Sequence, residues 1–150
     1  MGKSLFLAST DSASQRSKAV DAFLAYCGSQ CGTVGYFKTV VKDPDNNARI
    51  KELAAQKGVA PREVYGVSLQ EAVTYLNSGR EAALIEEVLA RYSHLATKFD
   101  PILIEGACLT DVAAYVLQGL DAVLAANLAS PVVLISGSGA CLAGSGVRYY

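Results

Sequence analysis

Four short apolar runs punctuate the chain at Ser4–Ala8, Thr33–Val41, Pro101–Glu105 and Val132–Ser136, each bounded by turn-forming residues. Two of them contain stretches without a polar interruption, Ile102-Leu103-Ile104 and Val132-Val133-Leu134-Ile135. A strand that reads this way has no face to show to water, so it belongs in a sheet covered on both sides, as parallel sheets are. Glu63–Val67 is a weaker fifth candidate.

The segments between these runs carry helical patterns. Val20, Phe23, Leu24 and Cys27 fall at i, i+3, i+4 and i+7, which puts one apolar stripe on a helix over Gln15–Ser29. Asp45-Asn46-Asn47 supplies capping residues for a helix that stops at Gly58. Ser68-Leu69-Gln70-Glu71 has the spacing of a capping box and opens a helix ending near Gly79. Leu84, Val88 and Tyr92 line one face of a helix over Glu81–Thr97, and Asp111–Ala129 reads as a long helix, apolar almost all round. Strand and helix thus alternate from end to end. That order predicts an α/β fold: a doubly wound, mostly parallel sheet of four to five strands flanked by helices, with right-handed crossovers. It covers residues 1–136. The remaining 137–150, "GSGACLAGSGVRYY", is rich in Gly and Ser without either periodicity and reads as a flexible tail.

Composition narrows the classes of partner. A chain of 150 residues that is 51% hydrophobic can bury one substantial core. With a net charge of −1, 8% aromatic residues and no Trp, it offers neither an electrostatic footprint for nucleic acid or anionic membrane nor a platform for stacking bases. Cys27, Cys31, Cys108 and Cys141 are scattered, and with His94 the single histidine they do not make a zinc pattern. They read as thiols in a reducing cytoplasm, the expected location. His94 reads as a surface residue. The apolar stretch Val112–Ile135 contains Gln118, Asp121, Asn127 and Pro131 and changes composition halfway, so it reads as helix then strand rather than a membrane span.

In open parallel sheets, ligands sit beyond the carboxyl ends of the strands. Three such ends bear polar groups: the loop Ser9–Ser17 ("STDSASQRS"), Lys38 in "GYFKTV", and Glu105 in "FDPILIEGACLTD". A lysine and a glutamate converging on a helix N-terminus suit phosphate and Mg²⁺: the ammonium neutralises phosphate, the carboxylate holds the ion, and amide N–H groups bind oxyanions. Laid over Ser9–Ser17 with one residue more between its glycines, the phosphate-loop pattern G-x-x-x-x-G-K-[ST] meets Ser9 and Gln15 where glycine belongs and Arg16 where lysine belongs.

In these three motifs the chain resembles the dethiobiotin-synthetase-like branch of P-loop proteins. Members open with G-T-D-T-G-V-G-K-[ST], continue with a strand ending F-K-P-V, and later show an apolar strand ending E-G-A-G-G. Here the three read "STDSASQRS", "YFKTV" and "IEGAC" in the same order. Within that branch the chain is similar to the N-terminal domain of long-form bacterial phosphate acetyltransferases, which carry an eroded loop and a helix like "LIEEVLARYSHLATKFDPILIEG" before the E-G strand.

The resemblance implies a P-loop-like domain with a degenerate phosphate loop at 9–17. It implies Thr10, Asp11, Ser12, Arg16, Ser17, Lys38 and Glu105 as residues around a bound nucleotide, and Glu105 and Ser17 as ligands of Mg²⁺. Three departures weaken that site. Ser9, Ala13 and Gln15 replace the loop glycines, whose backbone freedom the inward-pointing amides need. Arg16 keeps the lysine's charge on a longer, planar group. Cys108 and Leu109 follow where the family has glycines. No cofactor is therefore firmly expected, only weak nucleotide binding with Mg²⁺. Glu105 as an acceptor of loop amides, Lys38 as an ordinary strand-end lysine, and Asp45 as a helix cap rather than, with Asp43, a metal carboxylate remain equally open here.

The expected function is a non-catalytic regulatory or assembly domain of a phosphate acetyltransferase. Acetyl transfer between coenzyme A and phosphate would be catalysed by a C-terminal domain of the same polypeptide, absent here. Its expected partners are that domain, a small-molecule effector or nucleotide, and further copies of itself in a homo-oligomer, with no nucleic acid and no membrane. Two other classes stand beside it: an ATP/Mg-dependent dethiobiotin-synthetase-like ligase, and a plain α/β scaffold for protein contacts.

Overall fold

A computed structural model describes residues 3–9, 13–107, 119–136 and 146–149. Strand β1 (Ser4–Ser9) leads to helix α1 (Ala13–Cys31), β2 (Gly35–Val41) and α2 (Ala48–Lys57). A 3-10 turn (Pro61–Val64) then opens β3 (Tyr65–Ser68), followed by α3 (Leu69–Asn77), α4 (Glu81–Ala96) and β4 (Ile102–Glu105). Helix α5 (Leu120–Asn127), β5 (Val132–Ser136) and β6 (Gly146–Tyr149) complete the order.

The sheet runs β3-β2-β4-β1-β5-β6. The first five strands pair in parallel, and β6 lies antiparallel against β5. This is the expected α/β architecture of parallel strands with helices on both faces. On one face Phe6, Phe37 and Ile104 pack with Leu84, Val88 and Leu95 of α4 and Leu120 and Leu124 of α5. On the other, Leu7, Tyr36 and Leu103 pack with Val20 of α1 and Ile50 and Leu53 of α2. Alternate residues of β4 therefore serve opposite layers, which is why its sequence shows no polar alternation.

Local signals were read with small shifts. Ser68 and Glu71 close the capping box, with Ser68 Oγ accepting from the Glu71 N–H and the Glu71 carboxylate from the Ser68 N–H. Gly58 ends α2 at φ 69°, a left-handed conformation that glycine adopts without a Cβ penalty. The cap of α2 is Asn47, whose Oδ1 accepts from Ile50 N–H at 3.0 Å, rather than Asp45. The weak fifth strand is present two residues later than expected, because Pro61 and Glu63 belong to the 3-10 turn.

Two expectations need correction. A single helix over Asp111–Ala129 is not what forms: Gly119 sits at φ 87° immediately before α5, a conformation no continuous α-helix contains. Residues 108–118 lie outside the described residues. The glycine-rich stretch after Ser136 also contributes structure, since Gly146–Tyr149 forms β6. Val-Arg-Tyr has the β-branched and aromatic character strands favour, and the open edge of β5 supplies the partner.

Candidate functional site

Strand register brings Lys38 and Glu105 side by side, but Glu105 ends β4 whereas Lys38 lies midway along β2 rather than at a strand end, because β2 continues through Val41. In register, Leu7 pairs with Glu105 and Glu105 with Lys38, so the three lie in one row across β1, β4 and β2. Lys38 Nζ stands 3.5 Å from Glu105 Oε1. The Tyr36 hydroxyl, two residues back on the same face of β2, donates to Glu105 Oε2. Thr39 Oγ1 donates to the Glu105 carbonyl oxygen at 3.5 Å. The Glu105 side chain is 1% exposed and that of Lys38 16%. This carboxylate therefore lies in the interior, hydrogen-bonded and facing a cation, as a buried charge must be.

The phosphate-loop segment is helical from Ala13 onward, earlier than its pattern implies. Ser9 is the last residue of β1, in register with Ile135, and α1 is already helical at Ala13. Residues 10–12 alone separate strand from helix. Gln15, Arg16 and Ser17, which align with G-K-[ST], fall within the helix rather than at its entrance. Thr10, Asp11 and Ser12 lie outside the described residues, and for Arg16 the backbone alone is described.

Residues not singled out in the sequence complete the arrangement. Arg49 of α2 reaches across to α1, its two terminal nitrogens donating to the Asp21 carboxylate at 2.9 and 3.4 Å and one of them to the Ser17 carbonyl at 3.3 Å. Burial opposes its charge, but Asp21, with Tyr36 and Glu105 beyond it, outweighs that and holds its pKa above the ordinary arginine value. The bond clamps α2 to the segment that follows the loop.

Asp121, in the first turn of α5, accepts the Ala107 N–H at 2.9 Å. A Cβ on Gly106 would come within 2.4 Å of its Oδ2, so the turn after β4 needs glycine at 106 for this approach. The E-G pair of "IEGAC" thus has a local steric reason here, independent of any ligand.

The remaining candidates are placed away from this row. The Asp43 carboxylate accepts from the Asn46 backbone and side-chain amides, and that side-chain bond above all keeps its pKa below the ordinary value. His94 is exposed, 3.2 Å from Glu63 Oε1. Tyr36, Arg49 and Asp121 had no sequence signal beyond their residue types. Tyr36 two residues before Lys38 was the nearest to one.

Among the described residues, no helix is long and apolar enough to cross a membrane. No protein-family model matches the chain. Over 143 residues, 91% of its length, it is 27% identical to the phosphate acetyltransferase of Nitratidesulfovibrio vulgaris. Over 141 residues, 90% of its length, it is 28% identical to the phosphate acetyltransferase of Synechocystis sp.. The matched part is 20% of each relative, so the chain spans about a fifth of the length of the curated relatives it matches. The expected likeness to phosphate acetyltransferases is thus found: along nine tenths of its length the chain is similar to one fifth of such a protein.

Proposed function

We propose that this chain is a non-catalytic regulatory or assembly domain of a phosphate acetyltransferase. In this reading, acetyl transfer between coenzyme A and phosphate takes place in a different domain of the longer polypeptide. The observation that carries the proposal is the helical backbone from Ala13 onward. A phosphate cradle needs several consecutive backbone amides converging on one point before the helix begins, and here residues 10–12 alone occupy that interval. The Tyr36–Glu105–Lys38 row supports it, because its groups already satisfy one another in the interior. In this reading the domain resides in the cytoplasm and takes as partners the catalytic domain, further copies of itself, and a small-molecule effector.

A second reading, an ATP/Mg-dependent ligase, is favoured by one observation: Lys38, midway along β2, pairs in register with Glu105, the last residue of β4. Should nucleotide and Mg²⁺ bind there, Lys38 would meet phosphate, with Glu105 and Ser17 toward the metal. Calorimetric titration with Mg-ATP separates the two. The regulatory reading expects dissociation constants no tighter than the high-micromolar range. Each tenfold in affinity is about 1.4 kcal/mol, and losing several loop amide contacts costs more than that. A low-micromolar constant, abolished by Arg16→Ala, would overturn it in favour of the ligase.

A further inference from the structure

Helix α1 ends in Cys27-Gly28-Ser29-Gln30-Cys31, with its two cysteines four residues apart and therefore on one side of the helix. Both thiols are free. Cys27 is half-buried against the apolar cluster between α1 and α2, and Cys31, the last helical residue, is exposed. Spacing decides what such a pair can do. Residues at i and i+4 hold their Cβ atoms about 5–6 Å apart, whereas a disulfide requires about 3.5–4.5 Å. Direct S–S bonding would therefore unwind the last turn. Two sulfurs joined through a third atom fit the helix as it stands, since metal–thiolate bonds of about 2.3 Å on either side span the extra width.

Burial raises the Cys27 pKa, and the neighbouring Cys31 raises it further. An acceptor lying between the sulfurs relieves that repulsion. Among the described residues no group of three or more His, Cys, Asp or Glu is assembled to hold a metal ion. A pair of sulfurs at this spacing matches a centre content with two sulfur ligands, and thiolate pairs favour soft acceptors.

We propose that Cys27 and Cys31 form a dithiol site at the exposed end of α1 for a soft, thiophilic centre bound by two sulfurs. The probe is phenylarsine oxide. In the binding step both S–H bonds break, two As–S bonds form, and the arsenic-bound oxygen leaves with the two protons as water, with no change of oxidation state. The test uses the full chain carrying Cys108→Ser and Cys141→Ser, so that this pair is the whole thiol content. One arsenical per chain by mass, with both thiols lost to titration and release by a dithiol but not by a monothiol, is the expected result. Adding Cys27→Ser or Cys31→Ser should weaken binding about 100-fold or more, because the second bond is then no longer intramolecular. If one thiol stays titratable at saturation, or single-thiol variants bind as tightly, the pair is not a chelating site. Should the double-serine background not fold, alkylation mapping of the unsubstituted chain decides: protection of Cys27 and Cys31 together supports the site, and protection of other cysteines instead overturns it.

Discussion

Whether Glu105 is a structural or a ligand-binding carboxylate can be read from its energetic coupling to Tyr36. The side chain is 1% exposed, accepts from the Tyr36 hydroxyl and faces Lys38 Nζ at 3.5 Å. Tyr36→Phe removes a hydrogen bond to a charged group, worth about 1.5–3 kcal/mol. Glu105→Gln keeps an acceptor for Tyr36 but removes the charge opposite Lys38. Breaking a fully buried ion pair costs about 3–5 kcal/mol. Because the Lys38 side chain is 16% exposed and regains some hydration, about 1–3 kcal/mol is the expected loss here. The two changes share one oxygen network, so they should not add. In a double-mutant cycle the coupling should reach about 0.5–3 kcal/mol, against about 0.3–0.5 kcal/mol of scatter for independent sites. Urea denaturation of the four proteins measures it, since slopes of about 1–3 kcal/mol per molar turn such losses into resolvable midpoint shifts. Additive effects, or a Glu105→Gln variant as stable as the parent, would refute the structural assignment. A carboxylate whose charge can be removed without loss is one held ready for something else, as functional groups often are.

Three further outcomes follow from the geometry. Ile104 is fully buried between β1 and β2, so Ile104→Ala should cost about 2–5 kcal/mol and lower the urea midpoint accordingly; a midpoint equal to the parent's would mean the β4 register is wrong. Gly106→Ala drives a methyl to 2.4 Å from Asp121 Oδ2 and should lower the melting temperature, with Asp121→Ala partly restoring it in the double variant. Glu63 is hydrogen-bonded by Lys98, by the Ala60 N–H and by His94, which takes its pKa from the ordinary 4.5 down to about 2. Its folded-state pKa is lowered, so its contribution is present above pH 4.5 and disappears as the pH falls through about 2. Glu63→Gln should therefore flatten that part of the acid-unfolding profile, most clearly at low salt.

The motifs and the alternation were legible because they rest on local chemistry. Val20, Phe23, Leu24 and Cys27 mark α1 by spacing alone, and Ser68 with Glu71 announces α3 through bonds spanning three residues. The long helix expected over Asp111–Ala129 fails at Gly119, whose positive φ stands immediately before α5. Glycine is tolerated inside a helical pattern, so its sequence does not reveal which conformation it takes. The strand β6 was missed for a different reason: four residues have too little periodicity to declare themselves without the edge they pair with.

By itself the sequence determined the layered α/β class, five of the strands to within two residues at either end, and Glu105 as the end of β4. These follow from side-chain period, capping chemistry and parallel-sheet topology, all of which act over short stretches or by simple rules. Only the tertiary structure decided what those groups do. It put Tyr36 and Lys38 on the same face of β2 against Glu105, sent Arg49 from α2 to Asp21 and Ser17 on α1, and laid Asp121 against Gly106. It also began α1 at Ala13, ahead of the residues the phosphate-loop pattern needs at the helix entrance. Each of these contacts joins residues 15 to 69 positions apart. Their partners are set by strand register and helix packing, which no local pattern encodes.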